Sequence, residues 1–172
     1  RETMWDPKAY NQRLFVDGAW QEFAKTYDAN GDGEAETLWK PFDTENPTFK
    51  WIQKLISIRK ELEPLRRGAL NFLWTTRGTG GVDQGLFVFE RATDSDSVVV
   101  GINLLSNRGS TTEASDGSLM VVNFEPGTVL RDALDDSYTV TVESSGCPAA
   151  AGQGCLSMTV PSKGTRILTA AP

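Results

Sequence analysis

The sequence predicts a mixed fold: a loop-rich segment, then one long amphipathic helix, then an all-β antiparallel sandwich of seven to eight strands with Greek-key-like connections. Three observations predict it. Residues 1–43 scatter aromatics among turn residues without a sustained period. Residues 46–68 hold a helical period between a defined start and a defined stop. From residue 69 onward short apolar runs are separated by clusters of Gly, Pro, Asn, Asp and Ser.

In the first segment Trp5, Tyr10, Phe15, Trp20, Phe23, Tyr27, Trp39 and Phe42 follow neither a period of 2 nor one of 3.6. Residues 16–25 predict a short helix after Asp17–Gly18. A loop of this length inside a compact domain calls for something that pins it. Asp28-Ala-Asn30-Gly-Asp32-Gly33-Glu34-Ala-Glu36 places oxygen side chains at loop positions one, three, five and nine. Glu34, at position seven, would offer its backbone carbonyl, and Gly33 sits where a calcium loop turns sharply. At position twelve Trp39 replaces the usual bidentate Glu, so this is not a regular EF-hand. The expectation is a structural calcium site held by Asp28, Asn30, Asp32, Glu34 and Glu36; a solvated, metal-free Asn-Gly/Asp-Gly turn is the alternative. No second copy of the loop occurs, which argues against a dockerin-like pair.

The helix follows. Asn46 suits the N-cap and Pro47 the first helical position, where a missing N–H costs nothing. Trp51, Leu55, Ile58, Leu62 and Leu65 recur at steps of four and three on one face, and Phe49, Ile52 and Ile56 widen it. Pro64 cannot donate a helical bond and biases Glu63 away from helix, so the helix should end there. Strands are then predicted at 69–77 (ALNFLWTTR), 86–91 (LFVFER), 98–105 (VVVGINLL), 119–124 (LMVVNF), 128–131, 138–143 (YTVTVE), 156–160 and 166–169. Tyr138, Val140 and Val142 share one face. Trp74 reads as core, and Asp132, Asp135 and Asp136 read as a solvated turn.

Composition excludes several chemistries. The 172 residues carry a net charge of −6 and a pI near 4.7, which argues against nucleic acid or an anionic membrane as partner. No apolar run approaches the length of a membrane span. There is no histidine, so Ser–His–Asp, Cys–His and His-ligated metal sites are excluded. Cys147 and Cys155 are the only cysteines, eight apart in a Gly/Ala/Pro loop, which suits neither a redox pair nor a zinc site. A local disulfide is expected, with two free thiols as the alternative. If it forms, it favours an exported protein, extracellular or periplasmic, and would contribute about 2–3 kcal/mol. The chain begins at Arg1 without an initiator Met, so a mature or excised piece is expected.

Taken in order, three stretches resemble one family. Arg1-Glu2-Thr3-Met4-Trp5 is similar to the Arg-Glu-Pro-Met-x-Trp stretch of the alpha-amylase family, with Thr3 in place of Pro and without the spacer before Trp5. Leu55-Ile56-Ser57-Ile58-Arg59-Lys60, followed by Glu63-Pro64-Leu65-Arg66-Arg67-Gly68, resembles that family's Leu-Ile-x-Leu-Arg-(Arg/Lys)…Pro-Ala-Leu-Arg-x-Gly. The runs at 86–91, 98–103 and 161–168 resemble its C-terminal sandwich. The resemblance is to the C-terminal third of an alpha-amylase-family glycoside hydrolase. It implies that residues 1–68 form the end of a (β/α)8 barrel, including the loop after its eighth strand and its last helix. Residues 69–172 would form the C-terminal antiparallel sandwich.

The resemblance also implies a secreted parent enzyme that hydrolyses α-1,4-glucans such as starch, glycogen and maltodextrins by a retaining two-carboxylate mechanism. Its catalytic carboxylates would precede residue 1, so no catalytic residue is expected here and this chain alone is expected to be inactive. Its partners would be the upstream barrel portion of the same enzyme and the α-glucan. Arg1 and Trp5 would line a sugar subsite, unless Trp5 packs beneath its loop. The competing class is a non-catalytic, secreted, calcium-dependent carbohydrate-binding sandwich. That class accounts for the tryptophans, the acidic balance and the calcium loop, but not for the helix exit at Arg59-Lys60…Pro64…Gly68.

Overall fold

The computed structural model describes residues 47–76, 80–147 and 152–171 throughout, and before them the backbone of four short strands. These are β1 Arg13–Val16, β2 Ala19–Glu22, β3 Thr26–Tyr27 and β4 Glu36–Thr37. Two compact units make up the chain, Arg1–Lys54 and Leu55–Pro172. In the first, β1 pairs antiparallel with β2 in a register that sets Val16 opposite Ala19 and leaves two residues, Asp17 and Gly18, between the strands. The helix expected over 16–25 is therefore wrong. Asp-Gly favours a two-residue hairpin connection because the turns that match strand twist need positive φ at their centre. β3 and β4 pair in the same antiparallel sense. The segment read as loop-rich thus contains two hairpins, too short to show a period.

Helix α1 spans Pro47–Glu61, opening on the proline that its sequence placed first. It stops before Pro64, and Pro64 itself begins a one-turn helix, α2 Pro64–Arg67. Gly68 closes that turn through a 2.9 Å bond from its N–H to the Pro64 carbonyl. A Cβ at Gly68 would lie 2.7 Å from the Pro64 oxygen and 2.8 Å from the Ala92 nitrogen, both backbone atoms that cannot yield. Gly68 is needed for this close approach of helix exit to strand, since its own φ of −60° is ordinary. Gly68→Ala should lower the unfolding free energy by about 1–3 kcal/mol, read as a lower urea midpoint; an unchanged midpoint would contradict this account.

Among the described residues from 69 to 170 there are ten strands rather than seven or eight. They are β5 Ala69–Thr75, β6 Leu86–Ala92, β7 Ser97–Asn103, β8 Ser110–Thr111, β9 Met120–Val122, β10 Val129–Asp132, β11 Asp135–Thr141, β12 Gly154–Leu156, β13 Thr159–Val160 and β14 Thr165–Ala170. The two extra strands have local causes. β8 is two polar residues with no sequence signal, and the run expected over 156–160 divides, β12 pairing with β9 and β13 with β8. β5, β6, β7, β14, β10 and β11 lie side by side in one antiparallel sheet, in the order β11-β10-β14-β7-β6-β5.

Both faces of that sheet carry apolar side chains. On the inner face Trp74, Leu86, Val88, Val99, Leu130 and Leu168 meet Met120, Val122, Leu156 and Val160 from the short pairs, closing the expected sandwich. Tyr138 and Val140 pack at its margin and Val142 within it, as their alternation predicted. On the outer face Val98, Val100 and Ile167 are covered by Leu55 and Ile58 of α1 and by Leu62 and Leu65 after it. Beside them Phe89 packs against this cluster. Leu70 is 49% and Phe72 68% exposed, and the Phe72, Phe87 and Phe89 rings follow one another at 5.6 and 5.9 Å. Of the broad apolar face of α1, Phe49, Trp51, Ile52 and Ile56 remain exposed.

Candidate functional site

The expected calcium ligands Asp28, Asn30, Asp32 and Glu34, and the expected sugar-binding residues Arg1 and Trp5, lie outside the described residues. Glu36 is placed by its backbone. It opens β4 directly opposite Tyr27 of β3, so the oxygen-rich stretch 28–35 is the connection of an antiparallel hairpin. Strands flank this stretch, in contrast to the helices of an EF-hand. Five oxygen donors with no nitrogen or sulfur among them suit a hard cation such as calcium. Among the described residues no group of three or more His, Cys, Asp or Glu could hold a metal ion.

The cysteine expectation is met. Cys147 and Cys155 are bonded, with Cα atoms 6.0 Å apart. Cys155 is fully buried on β12 and exchanges both backbone bonds with Glu143, at 2.7 and 2.9 Å. The bridge therefore ties Cys147 to the buried edge of the second layer. No described helix is long and apolar enough to cross a membrane.

Among the described residues three buried carboxylates attract notice as chemistry, and each is engaged in hydrogen bonds that hold the fold together. Asp83 accepts from the Trp74 indole N–H at 3.2 Å. Glu90 accepts from the Ser97 hydroxyl at 2.6 Å and from the Asn71 amide at 3.3 Å. Asp132, read from sequence as part of a solvated turn, is 1% exposed. One of its oxygens accepts the Ile167 and Leu134 N–H groups at 2.9 and 3.0 Å, and the other pairs with Arg166 at 2.8 Å. The solvated reading fails for Asp132 because β14, which brings Arg166 and Ile167 to it, is 34 and 35 residues away in sequence. Asp135 and Asp136 are exposed as expected.

Arg166 is the centre of this cluster. Its Nε donates to the Thr159 carbonyl at 2.8 Å, and its guanidinium lies 3.5 Å over the Tyr138 ring. The Tyr138 hydroxyl in turn accepts the Thr159 N–H at 3.0 Å. β14 and β11 of the large sheet are thereby bound to β13 of the second layer. Asp135, 3.5 Å from Arg166, is held below the usual carboxylate value first by the Ser137 hydroxyl and Ser137 N–H, with Arg166 adding to them. The small stabilisation this gives is present above the unfolded carboxyl pKa and is lost as pH falls through the lowered folded one.

A cleft of about 370 Å³ opens between Ile58, Glu61 and Leu62 on one side and Arg131, Ala133 and Asp136 on the other. Its charged groups are exposed, so it lacks the buried polar anchor of a small-molecule site. The outer-face aromatics were the feature that reading by strands passed over. A signal was present: in LNFLW and LFVFE both parities are apolar, and an antiparallel strand apolar on both sides needs cover on both.

No protein-family model matches the sequence, and no curated protein matches it. Solved structures do. An alpha-amylase from Geobacillus thermoleovorans, complexed with acarbose, is 18% identical over 72% of this chain and 22% of its own, with a TM-score of 0.52. The gamma-CGTase of alkalophilic Bacillus clarkii is 18% identical over 83% of this chain and 18% of its own, at 0.55. A cyclomaltodextrin glucanotransferase with a three-domain ABC distribution is 16% identical over 77% of this chain and 24% of its own, at 0.56. This chain therefore spans about a fifth to a quarter of the enzymes it matches, and its fold is consistent with a C-terminal part of an alpha-amylase-type protein.

Proposed function

We propose that this chain is the C-terminal part of a secreted alpha-amylase-type enzyme that hydrolyses α-1,4-glucans, residues 1–68 completing the catalytic barrel and residues 69–172 forming the sandwich beside it. The observation that carries this reading is the fold match itself. It covers 72–83% of this chain but only 18–24% of an alpha-amylase and two glucanotransferases. The resemblance of the helix exit supports it, and Gly68 gives that motif a physical reason, because only glycine fits between the Pro64 carbonyl and Ala92. Secretion is supported by the Cys147–Cys155 bridge, which persists in oxidising surroundings.

A retaining glycosidase places two carboxyl groups roughly 5 Å apart across the scissile bond. In this reading both lie upstream, and the chain contributes architecture. Arg1 and Trp5 stand on the rim where loops after barrel strands gather, Trp5 covering the apolar face of a glucose unit and Arg1 donating to its hydroxyls. Intact mass and starch hydrolysis measured on one sample test the proposal. A larger polypeptide carrying this sequence at its C-terminal end should hydrolyse starch, and this chain alone should not. Hydrolysis by the 18.8 kDa chain alone would overturn it. Tight glucan capture by this chain, with no activity in the larger polypeptide, would favour a binding module instead.

Calcium belongs to the same proposal. Asp28, Asn30, Asp32, Glu34 and Glu36 would hold it, and a bound divalent cation would neutralise their charge and stiffen the hairpin connection. Excess chelator should lower the thermal midpoint, and added calcium should restore it. An unchanged midpoint would sink the assignment.

A further inference from the structure

We draw no further inference here: the strongest candidate, the cleft between the C-terminal end of α1 and strands β10 and β11, has only exposed charged groups in Glu61, Arg131 and Asp136, and nothing in the structure shows what covers it.

Discussion

Asp132→Ala is expected to lower the unfolding free energy of this chain by about 3–5 kcal/mol, as breaking one side of a buried ion pair does. The carboxylate is 1% exposed and the Arg166 side chain 11%, so neither can turn to water when its partner is lost. Two backbone donors, Leu134 N–H and Ile167 N–H, would lose their acceptor as well. Asp135, half-exposed and 3.5 Å from the guanidinium, is a poor replacement. Asp132→Asn should cost less, because an amide oxygen still accepts the two N–H groups. Guanidinium unfolding followed by tryptophan fluorescence measures both. A loss of about 1 kcal/mol or less for Asp132→Ala would mean that the pair behaves like an exposed one and the clamp is not structural.

Trp74→Ala should cost about 3–5 kcal/mol, through the cavity left by an indole that is 2% exposed in the main core. Trp74→Phe separates packing from polarity. It keeps much of the ring but removes the N–H that Asp83 accepts at 3.2 Å, and about 1–3 kcal/mol is expected from that alone. Were the two variants equally destabilised, the hydrogen bond would carry the effect and the packing argument would fail. Against a total stability of about 5–15 kcal/mol, either Asp132→Ala or Trp74→Ala removes a large share.

How far the fold was legible follows from the range of the forces involved. Pro47 and Gly68 act on their own backbone and stand at the start of α1 and at the helix exit. Pro64 instead opens α2, and Glu63 before it keeps helical angles (φ −57°, ψ −42°), so the expected bias of Glu63 away from helix fails. The central strands β6, β7 and β14 lie where their apolar runs are, because burial on both faces selects Leu, Val, Ile and Phe over the whole length. Asp17–Gly18 was equally local, yet a helix was expected over 16–25 where β1 and β2 pair instead. The candidate site was legible in its cysteines, which could pair only with each other, while the calcium and sugar residues remain proposals.

By itself the sequence determined the helix and its exit and the antiparallel class, and it reduced the cysteines to one possible pairing within the chain, since each depends on neighbours in the chain or on a composition with few alternatives. Only the tertiary structure decided that Asp132 is a buried anchor, because its partners Arg166 and Ile167 arrive on β14 from more than thirty residues away. Only the tertiary structure decided which half of the helix face finds cover and which phenylalanines do not. Hydrophobicity says that a side chain should leave water, but it carries no direction, and what covers a face depends on how distant strands are laid beside it.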